Sequence, residues 1–174
     1  EDGIRDKLVT GVQTCALPIS RGVTMGAAGH AFPAPKPMRS HASGEVIVAV
    51  VGAHLSGLPL NHQLTSRGAR LLEAAHTAAS YRLYALPNTT PPKPALRKVG
   101  PGGAAIAVEL WAMTHAAFGA FVEEVPPPLG IGTLALADGR AVKGFVCEPL
   151  ALENATDITA FGGWRAYLAA RAPA

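Results

Sequence analysis

Residues 46–62, which read Val46-Ile47-Val48-Ala49-Val50-Val51-Gly52-Ala53-His54-Leu55-Ser56-Gly57-Leu58-Pro59-Leu60-Asn61-His62, constrain the fold of this chain more than any other stretch. The first six are apolar and, apart from Ala49, β-branched, which restricts their side-chain rotamers and favours extended backbone. A short apolar run of this kind, ended by a glycine, reads as a buried strand. Beyond Gly52, the polar residues His54, Ser56, Asn61 and His62 follow within ten positions. A turn that delivers two imidazoles and several free backbone N–H groups to the end of a buried strand suits a small anionic ligand.

The rest of the composition bounds what that strand can belong to. Hydrophobic residues make up 49% and charged residues 16% of 174, enough apolar content for the core of one domain. No apolar run approaches the roughly eighteen residues that a membrane span needs. The ten Arg and five Lys, which give a net charge of +3, are scattered, and only 6% of residues are aromatic. Nucleic-acid binding asks for clustered charge with stacking rings, so no nucleic acid is expected as a partner. Cys15 and Cys147 have neither disulfide nor metal spacing, which fits a reducing, cytoplasmic setting. His54 and His62 lack a third ligand at a recognisable spacing, so no metal is expected, and no cofactor.

Residues 9–19, Val9-Thr10-Gly11-Val12-Gln13-Thr14-Cys15-Ala16-Leu17-Pro18-Ile19, match the in-frame translation of a common sequencing adapter. Residues 1–19 are therefore set aside from fold reasoning as a scar, and the native N-terminus is unknown. Without Arg5, Lys7, Glu1, Asp2 and Asp6 the remainder carries thirteen bases and nine acids, net +4. Residues 20–44 are rich in Gly, Ala, Pro and Ser with no helical or strand period. They read as a disordered linker, with His30 and His41 solvated, and suggest that another domain precedes the compact region 45–170.

Within that region the spacing of Leu64, Gly68, Leu71, Leu72 and Ala75 predicts a helix over 61–75 with Asn61 as N-cap and His62 in its first turn. Residues 81–86 read as a strand and 87–94 as a proline-stiffened loop. Alternation of Ile106, Val108 and Leu110 against Ala107, Glu109 and Trp111 predicts a strand over 104–113. Thr114 can cap a second helix whose apolar face holds Phe118, Phe121, Val122 and Val125, stopped by Pro126-Pro127-Pro128. Asp138-Gly139 between two apolar runs predicts a two-residue hairpin with a type I′ turn. A last helix would bury Phe161, Trp164, Tyr167 and Leu168. The order of elements predicts an α+β fold with a mostly antiparallel sheet curled around a core.

The segment Gly52-Ala53-His54-Leu55-Ser56-Gly57-Leu58-Pro59-Leu60-Asn61-His62-Gln63-Leu64 closely resembles the start of the C-terminal domain of allophanate hydrolase. Tyr81–Tyr84, Pro91–Pro94, Val108–Trp111, Pro128–Thr133, Val142–Phe145 and Asp157–Trp164 match in the same order, so the resemblance covers about residues 45–169. It implies a small mixed, mostly antiparallel β-barrel with flanking helices, like the γ-glutamyl cyclotransferases, whose first strand and loop bind the anionic end of the substrate. It also implies decarboxylation of N-carboxycarbamate in urea degradation, working with an N-terminal amidase domain that this chain lacks. The full-length enzyme is expected to be a homodimer.

On this reading His54 is the proton donor, because loss of CO2 from an N-carboxylate leaves an electron pair on nitrogen and histidine can hold a proton near neutral pH. Gly52, Ala53, Leu55, Asn61, His62 and Tyr84 are the expected substrate-binding residues, through loop N–H groups and side chains. Asn61 and Gln63 are equally readable as cap and surface, His62 as a helix-end residue, and Tyr84 as a core ring with a wet tip. Glu109 reads as a buried carboxylate bonded to a tyrosine or an arginine. Glu124, placed where cyclotransferases carry their acid/base glutamate, reads first as a solvated helix end. Lys143 and Arg82 are candidate cations for a dianionic substrate, and Cys147 is a small core residue. The rival readings are a non-catalytic module that shapes the full-length enzyme and a γ-glutamyl cyclotransferase.

Overall fold

The computed structural model describes residues 42–171 and the pairs 24–25 and 30–31. Those pairs form a two-residue antiparallel ladder, Thr24 opposite Ala31 and Met25 opposite His30, in a unit separate from the one that begins at Arg39. The adapter-like residues 1–19, Cys15 among them, lie outside the described residues. So does most of the linker stretch, together with the solvated reading of the His30 and His41 side chains.

In the second unit the chain forms β1 (Glu45–Val50), α1 (His62–Thr65), β2 (Arg70–His76), β3 (Tyr81–Ala85), β4 (Pro94–Lys98) and β5 (Ala107–Thr114). It continues with α2 (His115–Glu123), β6 (Leu129–Ala135), β7 (Ala141–Cys147), β8 (Thr156–Asp157) and α3 (Trp164–Arg171). β1 is the central strand of a five-stranded sheet ordered β2-β5-β1-β7-β6. It runs antiparallel to β5, with Val50 opposite Glu109, and parallel to β7, with Ala49 opposite Gly144. A central strand covered on both faces must be apolar throughout, and Val48, Ala49, Val50 and Val51 are each at most 3% exposed.

The sheet curls until its edges meet at one end. Thr77, just past β2, bridges Leu136, just past β6. Ala78 N–H donates to Ala135 C=O at 2.9 Å and Ala137 N–H to His76 C=O at 3.0 Å. The buried Tyr81 hydroxyl accepts from Ala135 N–H at 2.8 Å. A second sheet, β8-β3-β4, packs through β4 on β7. The α+β, mostly antiparallel architecture expected from the sequence is therefore present.

Four local expectations are corrected. The helix over 61–75 is a single turn followed by a strand. Gly68 stands at φ +70, and Ala69 N–H returns to Leu64 C=O while Gly68 N–H returns to Thr65 C=O, the paired bonds of a Schellman end. The hairpin lies where Asp138-Gly139 places it, but only Gly139 has positive φ. Gly139 N–H donates to Leu136 C=O and Leu136 N–H to Arg140 C=O, a three-residue loop with the glycine as its left-handed member. Phe161 is 44% exposed in a short 3-10 turn, whereas Trp164 and Tyr167 of α3 are buried as expected. α2 does begin at Thr114, whose hydroxyl accepts from Ala117 N–H at 3.2 Å. Cys147, at the end of β7, is half-buried rather than in the core.

Candidate functional site

Where β1 ends, the chain turns through residues 51–61 before entering α1, and this turn forms one side of a cavity of about 170 Å³. Gly52, Ala53 and His54 line it from the turn, Gln63 from α1, Lys93 and Pro94 from the start of β4, Phe121 and Glu124 from α2, and Phe145 from β7. The turn is tightly tied to itself. Leu55 N–H donates to Gly52 C=O, Leu58 N–H to Leu55 C=O and Leu60 N–H to Ala53 C=O, each at 2.9 Å. Asn61 Nδ2 donates to His54 C=O at 2.9 Å. The N–H groups of Ala53 and His54 have no acceptor among the described residues, and both residues line the cavity.

The imidazole of His54 is held on three sides. It stacks on Phe145 with centroids 5.0 Å apart and planes at 17°, and meets Phe121 edge-on at 5.3 Å. Contacts of this kind contribute about 0.5–1.5 kcal/mol each beyond the area they bury. Its Nε2 lies 2.8 Å from Gln63 Oε1. With the amide oxygen accepting, the neutral ring carries its proton on Nε2 and leaves a lone pair on Nδ1. Burial pushes the His54 pKa below its ordinary 6.5. The Gln63 bond opposes that shift, and the positive charge of Lys93 adds to it. The His54 ring is therefore neutral at pH 7.

The cavity lining carries one cation, Lys93, and one carboxylate, Glu124. Lys93 has no carboxylate partner among the described residues. Its backbone is fixed by Lys93 N–H to Thr89 Oγ1 at 2.9 Å and Leu86 N–H to Lys93 C=O at 3.1 Å. The carboxylate of Glu124 reaches the cavity wall but is ion-paired with Arg67, which also donates to Gln63 C=O at 2.8 Å.

Behind the turn, Glu109 is 12% exposed and accepts four hydrogen bonds. Ser56 N–H and Ser56 Oγ each reach Oε2 at 2.8 Å, and Trp111 Nε1 reaches it at 3.3 Å. Arg165 donates to Oε1 at 2.9 Å and to Ser56 C=O at 2.6 Å. Burial raises the Glu109 pKa, but the bonds from Ser56, Arg165 and Trp111 outweigh it and hold the carboxyl below its ordinary 4.5. The sequence reading of Glu109 as a buried carboxylate bonded to an arginine matches this geometry.

Several expected site residues stand elsewhere. Leu55 is 4% exposed and its N–H is consumed by Gly52, so it offers no donor to a ligand. Asn61 has helical backbone angles and no capping bond; its amide staples the turn and does not line the cavity. His62 is exposed, its Nδ1 2.9 Å from Pro59 C=O, and also lies outside the lining. Tyr84 sits on β3 opposite Asp157 in the other sheet, away from the cavity. Arg82 faces Asp157 at 3.5 Å and Lys143 faces Thr133 at 3.2 Å, neither at the site. The cation that does line it, Lys93, and the rings of Phe121 and Phe145 come from separate segments. The only signal for Lys93 was its place in the matching Pro91–Pro94 stretch.

The central strand of the curled sheet thus opens into a small pocket that holds the half-buried imidazole of His54 beside Lys93. The chain belongs to the allophanate hydrolase C-terminal domain family, whose model matches residues 46–169. It is 45% identical over 127 residues to the urea amidolyase of Lachancea kluyveri, covering 71% of this chain and 7% of that protein. The structure of Kluyveromyces lactis allophanate hydrolase is 44% identical, with a TM-score of 0.69 over 72% of this chain and 21% of that one. A uropathogenic E. coli-specific protein is 33% identical, with a TM-score of 0.67 over 72% of this chain and 96% of its own. The chain thus spans less than a tenth of the length of the curated relative, while the E. coli protein consists almost wholly of the shared domain.

Proposed function

We propose that this domain takes up N-carboxycarbamate in the His54 cavity and speeds its decarboxylation, beside an amidase domain that releases ammonia from allophanate in urea degradation. The observation that carries the reading is that Ala53, His54 and Lys93 line one cavity of about 170 Å³, with the N–H groups of Ala53 and His54 lacking a protein acceptor among the described residues. One carboxylate of the dianion would be held by the two N–H groups and Lys93. Cleavage of the other N–CO2 bond leaves its electron pair on nitrogen, and one proton delivered there gives CO2 and carbamate. The arriving dianion favours the imidazolium form of His54, in which Nδ1–H is a donor with no protein acceptor among the described residues, and that proton is the one transferred.

A γ-glutamyl cyclotransferase would need a free carboxylate facing the turn. Glu124 is near enough but engaged by Arg67, which favours decarboxylation. A non-catalytic module that holds the full-length enzyme together as a homodimer predicts that His54 is dispensable. The test supplies N-carboxycarbamate in situ from a separate amidase and follows CO2 release. The chain should accelerate it, and His54→Ala should forfeit most of the acceleration, about 10²-fold or more for a lost proton donor. An unchanged rate in His54→Ala would overturn the assignment.

A further inference from the structure

We propose that Glu109, together with Arg165, is a positioning pair that fixes the imidazole of His54 from behind. The assignment rests on reading the His54 cavity as the functional site. Glu109 itself is not part of the cavity wall; it lies on the opposite side of the turn, on β5, where its backbone is opposite Val50 of β1 and Ala74 of β2. From there its Oε2 takes both the N–H and the hydroxyl of Ser56, two residues beyond His54. Arg165, in the first turn of α3, closes the arrangement by bonding the other carboxylate oxygen and the Ser56 carbonyl.

Every polar group of Ser56 is thereby tied to the β5–α3 brace. On the other side of His54, its own carbonyl is held by Asn61 and Ala53 C=O by Leu60 N–H. The backbone that carries the imidazole is therefore anchored at residues 53, 54 and 56, which fixes where the ring can meet Gln63 and Phe145. A charged acceptor is suited to this task, because hydrogen bonds to a carboxylate are shorter and stronger than neutral ones. Glutamine at 109 would keep the shape and one acceptor but could not serve the Ser56 donors and the Arg165 guanidinium together.

The test follows the His54 ring by NMR titration and measures binding of malonate, a dianion in which CH2 replaces the NH of N-carboxycarbamate. In Glu109→Gln, the His54 titration should move up toward its ordinary value and malonate affinity should fall at least tenfold. Arg165→Lys, which keeps a donor, should retain more of both properties than Arg165→Ala. Val142→Ala, a core change away from the turn, serves as a control matched in thermal stability and should leave both readings at the wild-type value. A folded Glu109→Gln protein whose His54 titration and malonate affinity match wild type would overturn the proposal. Should Glu109→Gln fail to fold, Ser56→Ala and the Arg165 pair decide the question on the same readings. A His54 titration that moves in these variants while wild type binds no malonate would uphold the brace and sink the functional reading instead.

Discussion

Gly52 is the position where a single methyl group should disable the site. A Cβ built there would lie 2.4 Å from Cδ and 2.6 Å from Cγ of Pro94, whereas carbon atoms rest at about 3.5–4.0 Å. Relief needs a shift of about 1 Å, and the obstacle is a proline ring closed onto its own backbone nitrogen, not the tip of a flexible side chain. Pro94 is buried and opens β4, so the strand itself must move, and Lys93 with it. Overpacking of this kind costs about 1–3 kcal/mol. With a urea m-value of about 2 kcal/mol/M, the Gly52→Ala midpoint should drop by about 1 M at unchanged slope. Because the displaced wall is the one that carries Lys93, activity should fall further than stability, by about 10²-fold for a misplacement of about 1 Å. Urea unfolding followed by fluorescence, run beside the CO2-release assay, reads both quantities. A Gly52→Ala protein within about 0.5 kcal/mol of wild type and fully active would refute the reasoning.

Two further outcomes follow from the same geometry. The lowered His54 pKa means that the unfolded chain binds a proton more readily, so this residue's contribution to stability is complete above pH 6.5 and is lost as pH falls below it. The unfolding free energy of wild type, read from urea melts, should therefore fall more steeply with acidification than that of His54→Asn, by at most about 1.4 kcal/mol per pH unit; equal slopes would contradict the burial argument. Tyr81→Phe leaves the N–H of Ala135 without its acceptor where the sheet edges meet, and Tyr81 is 1% exposed. The loss should be about 1–3 kcal/mol, read as a Tm lowered by about 4 °C per kcal/mol, and an unchanged Tm would show that the closure does not depend on this bond.

The strand and turn at 46–62 were legible because an unbroken β-branched run has few uses other than a buried central strand, and β1 is one. The helix expected over 61–75 was not there because Leu64, Leu71, Leu72 and Ala75 satisfy a helical face and a strand almost equally well. Gly68 decides between the two by taking positive φ, yet on a helical wheel it passes for a small packing residue. The hairpin was located correctly by Asp138-Gly139, but its loop length depends on tertiary closure at Leu136 and Thr77, which no local pattern reports. The cavity was only half legible. His54 and the unbonded N–H groups lie within a few residues of each other, whereas Lys93, Phe121 and Phe145 are brought to them by the start of β4, by α2 and by β7. Asn61 and Leu55 were assigned to the ligand because sequence shows which residues are near, not which donors the turn consumes for itself.

The central claim is that a dianion entering this cavity draws a proton onto His54. Calorimetric titration with malonate at pH 7.5, repeated in two buffers of different ionisation enthalpy, measures that proton directly. The account predicts net uptake approaching one proton per malonate bound, abolished in His54→Ala. Malonate binding with no proton uptake, and undiminished in that variant, would contradict it.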